Sequence, residues 1–426
     1  MNDSSKRQTD PLPQAGLPRS LRSKVANRVA SSRDPVARLR AGKALELYYE
    51  VGDAHSQLST ALARRLLPRL KIPLVIRLVP EPDARTYPEE ARQRDFAATD
   101  AARIAPCHGL PLPHPVPAGQ RSAMEAQLAR ADNAATFLDV ELHCLKQLAQ
   151  GQTLFTPSAS ETAHTKAVLH TNRKRRARLG HYLPAMWQYH GEWFWALDRL
   201  QFLRQRLITD QALLGDAALS FIDTKKLPIA GVAPGTALEF WFSFRSPYSY
   251  LAAVELLRQR KNGIAMPLQV RPVLPMVMRG LPVPRVKRLY IVRDVKRSAD
   301  ALGIPFGHIH DPVGDGVLRL LSVFPYEADT ETQLRYCAIA GQTVWAEGLD
   351  ARNDDVLRSV FERCGLDWTA AQQKLALGTD TRRAEMDRDA LFAAGLWGVP
   401  SFRYGELTTW GQDRLWMIER AQKGIE

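Results

Sequence analysis

The chain of 426 residues is longer than a single hydrophobic core usually fills, so we expect two domains of ordinary size. It contains no apolar run of about 20 residues, which a membrane-spanning helix needs, and its first 40 residues hold no apolar segment typical of a secretory signal. The sequence therefore predicts a cytoplasmic protein with no membrane partner.

The formal net charge of +13 raises the question of a nucleic-acid partner. Much of the excess lies in residues 1–40, where nine Lys or Arg face three Asp in a stretch rich in Ser and Pro. This composition is typical of a disordered tail, while a transit peptide is an alternative that the prolines disfavour. No aromatic residues interleave with the basic runs, such as Arg173–Arg176, so we do not predict nucleic-acid binding.

Four cysteines are spread widely through the chain, at Cys107, Cys144, Cys337 and Cys364. No Cys-x-x-Cys pair occurs, which argues against a redox dithiol and a zinc knuckle. We therefore expect buried thiols in a reducing compartment and no metal site.

The N-terminal half opens with an aromatic and aliphatic strand pattern at residues 44–50, followed by a polar turn and a helical stretch. A second strand pattern lies at residues 72–77. Towards the end of this half, Leu183-Pro184 and Gly191-Glu192 indicate a short hairpin before a closing helix.

The C-terminal half repeats this order, with strand patterns at residues 237–243 and 266–271 and a hairpin at residues 401–410. In each half, the first helix supplies the crossover that parallel strands need. We predict an α/β protein with two tandem thioredoxin-like domains, each with a helical insertion. The predicted segments are a basic tail at 1–40, a first domain at 41–215, a linker at 216–235 and a second domain at 236–426.

Residues 242–252, with the sequence FSFRSPYSYLA, resemble the opening motif of 2-hydroxychromene-2-carboxylate isomerases and kappa-class glutathione transferases of the DsbA-like thioredoxin superfamily. Further motifs follow in family order, namely Lys287–Tyr290 with Asp294, Gly303–Phe306, Gly398–Pro400 and Trp410–Arg414. The resemblance covers nearly the whole C-terminal half. Together with the internal repeat, it implies that both domains are DsbA-like. It further implies that the second domain uses glutathione as cofactor with a small-molecule electrophile, and it leaves a homodimer open.

Ser246 lies where a predicted strand passes into a helix, with Pro247 in the first turn, so the helix N–H groups and positive dipole end favour an anion there. The resemblance implies that this anion is the glutathione thiolate, whose pKa falls when a hydroxyl donor stabilises it. We therefore predict Ser246 as the catalytic residue, acting as a hydrogen-bond donor to sulfur. A plain helix N-cap is the alternative.

The resemblance also implies the residues that bind glutathione. Val399 and Pro400 match the family corner with a cis proline, where the Val399 backbone would pair with the cysteinyl part. Asp413 would meet the γ-glutamyl ammonium, Gln412 the neighbouring carboxylate and Lys287 the glycyl carboxylate. The alternatives are a strand-initiating proline, a carboxylate that suits a first helical turn and a surface lysine.

Three aromatic residues near these motifs, Tyr248, Tyr290 and Trp410, are predicted to line the acceptor pocket. Membership of the hydrophobic core is the alternative for each of them.

The N-terminal half departs from the motif. Asp53 aligns with Ser246, and an anionic carboxylate would repel a thiolate; Gln93 aligns with Lys287 and removes the cation. We therefore expect the first domain to keep the fold without the glutathione chemistry. A new acid–base pair of Asp53 and His55 is the alternative.

Together these patterns predict a glutathione-dependent isomerase or transferase acting on a small aromatic or conjugated electrophile. A non-catalytic thioredoxin-fold binding or scaffold protein is the alternative, because Arg245 stands where the family usually has a small or apolar residue. A disulfide oxidoreductase is disfavoured because no second thiol accompanies the Ser246 position.

Overall fold

The computed structural model describes residues 41–214, 232–233, 235–262, 266–378 and 380–423. The predicted tail at 1–40 and nearly all of the predicted linker at 216–235 lie outside the described residues. The described chain forms two compact units, one containing residues 41–214 with 282–290 and the other containing residues 235–281 with 291–422. The short segment 282–290 therefore groups with the N-terminal unit, although it lies in the C-terminal half of the sequence.

The N-terminal unit begins with a buried strand of aliphatic and aromatic residues, Leu45–Tyr49, a composition that favours a central strand. The next helix begins at Ala54 because the Asp53 side chain accepts the backbone N–H of Ser56 at 2.7 Å. In chain order the elements are β1 Leu45–Tyr49, α1 Ala54–Leu66, β2 Leu74–Leu78, α2 Glu90–Cys107, α3 Arg121–Leu128, α4 Ala134–Ala149, α5 Ala159–Arg178, β3 Met186–Tyr189, β4 Glu192–Trp195 and α6 Leu200–Thr209.

The C-terminal unit follows the same order with more helices between its second and third strands. Its elements, including a helix shared between the units, are β5 Leu238–Phe242, α7 Pro247–Lys261, β6 Leu268–Pro272, α8 Arg285–Leu302, α9 Asp315–Ser322, α10 Thr330–Trp345, α11 Asp354–Cys364, α12 Trp368–Ala376, α13 Arg382–Ala393, β7 Ser401–Tyr404, β8 Leu407–Trp410 and α14 Leu415–Gln422. Within the described parts of the chain, no helix combines the length and the apolar character needed to cross a membrane.

The two sheets have the same topology, with strand orders β2-β1-β3-β4 and β6-β5-β7-β8. In each sheet the first strand pairs in parallel with the second and antiparallel with the first strand of the hairpin. The predicted strands and hairpins are confirmed in both halves, and both sheets are mixed. In each sheet, the carboxyl end of the central strand leads through a short turn into the N-terminus of the next helix.

The central strand of the N-terminal sheet carries a buried acid, Glu46, that is paired with arginines. Glu46 on β1 accepts hydrogen bonds from Arg77 at 2.9 Å, Arg175 at 2.6 Å and the Tyr48 hydroxyl at 2.6 Å. Burial alone would raise the pKa of Glu46, but the hydrogen bonds from Arg77, Arg175 and Tyr48 outweigh it and lower that pKa to about 2. The ionised carboxylate is therefore part of the folded structure of this sheet.

The substitution Glu46→Gln should lower stability at neutral pH and flatten its dependence on pH. The pKa of Glu46 falls from its ordinary value of 4.5 to about 2 on folding, so its contribution is present above pH 4.5 and is lost as the pH falls towards 2. This difference corresponds to roughly 3 kcal/mol. Urea unfolding at a series of pH values measures it.

The control for this experiment is Glu331→Gln, which removes an exposed partner of Arg335 and should change the free energy of unfolding by less than about 0.5 kcal/mol. If Glu46→Gln and the unsubstituted protein lost stability in parallel between pH 4.5 and pH 2, the assignment of that acid sensitivity to Glu46 would be wrong.

Candidate active site

Ser246 joins strand β5 to helix α7. Its backbone is extended, with φ −102° and ψ 109°, and Pro247 takes the first helical position. The Ser246 Oγ accepts the backbone N–H of Ser249 at 3.2 Å and so caps the helix. The same hydroxyl donates to the carbonyl oxygen of Val399 at 3.3 Å. Ser246 is thus both a helix cap and a hydroxyl donor that faces the chain before Pro400.

The Val399–Pro400 peptide bond is cis, and strand β7 begins immediately after it. The carbonyl oxygen of Pro400 accepts the backbone N–H of Gly411 at 2.9 Å, which brings the end of β8 back to this corner. Val399 is half-buried and Pro400 is buried. The structure therefore brings Ser246, Val399 and Pro400 together at one end of the sheet.

Two glycines make room for side chains beside this corner. A Cβ atom on Gly398 would lie 3.0 Å from Nε1 of Trp410, whose ring packs on Trp397 with centroids 5.0 Å apart. Gly411 has a φ of +98°, and a Cβ atom there would lie 2.5 Å from Oδ1 of Asp413. The Trp410 indole and the Asp413 carboxylate thus occupy space that a larger residue at either position would fill.

Gln412 and Asp413 lie in a short 3-10 turn, Gln412–Arg414, directly after β8. The predicted site residues of this region that remain half-buried, with part of their surface open to solvent, are Ser246, Val399, Trp410, Gln412 and Asp413. Each of these residues therefore keeps part of its surface accessible to solvent.

Tyr248 is tied to helix α8 by a buried network that sequence analysis missed. Its hydroxyl donates to Oδ2 of Asp294 at 2.7 Å, and Nη2 of Arg297 donates to Oδ1 of the same carboxylate at 2.6 Å. Asp294 is 1% exposed and Arg297 8%. The place of Asp294 in the motif that begins at Lys287 was the available signal, but that motif indicates no partner for it. Tyr248 therefore braces the helix that begins at Ser246, whether or not its ring also lines a pocket.

Lys287 and Tyr290 lie at the start of α8, in the segment that groups with the N-terminal unit. The Lys287 Nζ donates to the backbone carbonyl of Thr86 at 3.2 Å, and burial lowers the pKa of this lysine to about 8. The Tyr290 ring meets the His181 ring edge-on, with centroids 4.5 Å apart. The structure does not group these two residues with Ser246 in one unit, so their roles in glutathione and acceptor binding stay predictions.

Arg245, the departure from the family pattern, is paired with an acid. Its Nε and Nη2 donate to the two carboxylate oxygens of Asp311 at 2.8 and 2.7 Å. A bidentate pair of this kind fixes the guanidinium and offsets its charge. The Arg245 guanidinium next to Ser246 is therefore engaged by Asp311, which disfavours a role for it in binding an anionic ligand.

The equivalent junction of the N-terminal unit has the same backbone arrangement with different chemistry. Asp53 caps α1 through Ser56, and Nε2 of His55 lies 3.4 Å from Oδ2 of Asp100. His55 and Asp100 are both buried. The alternative pairing of Asp53 with His55 is therefore not what the structure shows, because His55 faces Asp100 instead.

The substitution Arg297→Met should destabilise the C-terminal unit by roughly 3 kcal/mol or more, since it takes a cation from the buried Asp294 carboxylate. The matched control, Arg335→Met, breaks an exposed pair with Glu331 and should cost less than about 0.5 kcal/mol. Urea unfolding followed by circular dichroism compares the two. Equal losses of stability would contradict a structural role for the buried network.

Comparisons with known proteins find similarity in the C-terminal half of the chain. Residues 237–423 match the family model of the DSBA-like thioredoxin domain. A 2-hydroxychromene-2-carboxylate isomerase from Pseudomonas putida is 29% identical over 192 residues, which are 43% of this chain and 93% of the relative. An isomerase of the same name from Pseudomonas sp. (strain C18) is 26% identical over 194 residues, covering 44% of this chain and 90% of the relative.

A solved structure of a 2-hydroxychromene-2-carboxylate isomerase shares 27% sequence identity, covering 44% of this chain and 94% of that chain, with a TM-score of 0.37. The family-model match covers the segment that carries the Ser246 junction and the Val399–Pro400 corner. Residues 237–423 therefore match the DSBA-like thioredoxin domain and are similar in sequence to 2-hydroxychromene-2-carboxylate isomerases.

Proposed function

We propose that the chain is a glutathione-dependent isomerase acting on a small aromatic or conjugated electrophile, with glutathione transferase activity at the same site as the alternative. The similarity to 2-hydroxychromene-2-carboxylate isomerases supports the reaction class. The observation that carries the proposal is the Ser246 hydroxyl, which caps α7 and lies 3.3 Å from the carbonyl oxygen of Val399. This arrangement suits a ligand that offers both an anionic atom and an extended backbone.

The residues around this hydroxyl fit glutathione. Val399 is half-buried, so its backbone groups can pair with the cysteinyl part of an extended peptide. Gly411 leaves room for the Asp413 carboxylate, which would bind the γ-glutamyl ammonium, with Gln412 beside it for the carboxylate. Lys287 enters the proposal only through the resemblance, as the partner of the glycyl carboxylate.

Glutathione, when bound, would supply a thiolate nucleophile, and reversible addition of a thiolate is the chemistry that rotation about a conjugated double bond needs. Groups of the protein chain would stabilise the negative charge on the sulfur. Rotation of the Ser246 hydroxyl away from Val399 would direct its proton to the sulfur, and the α7 dipole would add to that stabilisation. The half-buried Trp410 indole, which packs on the buried Trp397 ring, would offer an apolar surface beside the corner for an aromatic substrate.

We also infer that the two domains arose by tandem duplication, each with a helical insertion between its second and third strands. Equivalent backbone contacts support this: the N–H of Glu50 donates to Ser56 Oγ at 3.2 Å, and the N–H of Ser243 donates to Ser249 Oγ at 3.4 Å. The first domain would have lost glutathione chemistry, because Asp53 places a carboxylate where the second domain has a hydroxyl.

The test uses the intact protein with glutathione and 2-hydroxychromene-2-carboxylate. We expect Ser246→Ala to raise the pKa of the bound thiol by about one unit or more, since a hydrogen bond to a charged group is worth roughly 1.5–3 kcal/mol. Turnover should fall by at least about tenfold for the same reason. Ultraviolet absorbance of the thiolate measures the pKa, and isothermal titration measures glutathione affinity.

Ser158→Ala is the matched control, because Ser158 also caps a helix but lies on α5 in the other unit. It should leave turnover and the thiol pKa unchanged. Absence of glutathione binding by the intact protein would favour the non-catalytic binding or scaffold alternative. A stable glutathione adduct, in place of an isomerised product, would assign the site to a transferase.

A further inference from the structure

The turn that leads from β5 to Ser246 is held by two contacts with residues much further along the chain. Nε1 of Trp345, the last residue of α10, donates to the carbonyl oxygen of Phe244 at 3.2 Å. The Arg245 guanidinium forms its bidentate pair with Asp311 at 2.8 and 2.7 Å. Phe244 and Trp345 are both buried. The two consecutive residues directly before Ser246 are therefore fixed from outside the turn.

The segment that carries Asp311 is itself attached to the end of α10. The backbone N–H of Gly307 donates to the carbonyl oxygen of Trp345 at 3.0 Å, and the N–H of His310 donates to the carbonyl oxygen of Val344 at 2.8 Å. The contacts therefore form a closed ring, which runs from the turn to the acid, along this segment to α10 and back to the turn.

The two charges of this ring are partly shielded from water. The Arg245 side chain is 12% exposed and the Asp311 side chain 39%. Oδ1 of Asp311 also accepts the backbone N–H of Val313 at 3.2 Å, which fixes the carboxylate on its own segment. Water and salt screen a partly buried pair less than an exposed one. Because Arg245 directly precedes Ser246 in the chain, an anion bound at the Ser246 hydroxyl would experience both charges.

We propose that Asp311 is a positioning residue for the Ser246 site and acts on that site through Arg245. The pair would hold the turn that presents the Ser246 hydroxyl, and the carboxylate would offset the charge of the guanidinium. An unpaired cation beside Ser246 would bind a thiolate more tightly but make it a weaker nucleophile, because the nucleophilicity of a thiolate falls as the pKa of its thiol falls. The inference rests on the proposed glutathione function, and it concerns a pair that the resemblance does not include.

The first experiment measures the pKa of the glutathione thiol bound to the full-length protein, by ultraviolet absorbance at low ionic strength. We expect Asp311→Asn to lower this pKa by about half a unit, because it leaves the Arg245 cation unpaired. Arg245→Met should raise the pKa by about the same amount, because it leaves the Asp311 carboxylate unpaired. A purely structural pair would move the pKa in the same direction in both variants. Shifts of the same sign, or no shift in either variant, would overturn the proposal.

The second experiment tests the positioning of the turn without glutathione. The backbone N–H of Ser246 donates to the carbonyl oxygen of Ser243 at 2.9 Å, and the N–H of Ser249 donates to the Ser246 Oγ at 3.2 Å. Hydrogen exchange of these two amides reports how firmly the turn is held. Both variants should raise the two exchange rates by about fivefold or more.

The matched control is Arg382→Met, which removes an exposed bidentate pair with Asp380 and should change neither the exchange rates nor the thiol pKa. Unchanged exchange in Asp311→Asn and Arg245→Met would overturn the inference whether or not glutathione binds. Faster exchange in both variants of a protein that binds no glutathione would contradict the proposed function and still support the positioning of the turn.

Discussion

The turn from the central strand into the first helix is the constraint on which both domains depend. In each, the N-cap side chain accepts the N–H of a serine three residues later, and that serine's hydroxyl accepts the N–H of the residue that follows the strand. The backbone of the turn is thus satisfied locally, whatever else the N-cap side chain does. The N-cap is Ser246 in the second domain and the aligned Asp53 in the first. The two domains therefore differ in the charge at the helix N-terminus but share the same turn.

Local sequence patterns were sufficient for the elements that frame the candidate site. The β7–β8 hairpin has the predicted bounds because Gly405 provides the positive φ of its turn and strand-forming residues flank it. Ser246 followed by Pro247 predicted a capped helix start, and the structure has one. These signals are reliable because the interactions that fix them span only a few residues.

Contacts between residues far apart in the chain could not be predicted from the sequence. The pairing of Arg245 with Asp311 joins positions 66 residues apart, and no local pattern indicates that partner. The basic run Arg173–Arg176 is not uniformly exposed, because Arg176 is buried. Helical spacing was the available signal, since Arg176 lies four residues after the buried Asn172. A run of like charges on a helix is therefore better judged position by position than as a block.

The four cysteines of the chain are buried, and none of them is in a disulfide. Burial raises the pKa of the Cys144 thiol to about 11 and that of Cys364 to about 12, and it raises the pKa of Cys337 further above its usual range. At neutral pH these sulfurs are poor nucleophiles and poor targets for alkylating reagents. A Ser246→Cys protein would consequently carry one accessible thiol, the introduced one, beside four buried native thiols. The pH dependence of its alkylation rate would give the pKa of the introduced thiol, and hence the stabilisation of its thiolate by the helix N-terminus. No native cysteine would have to be removed.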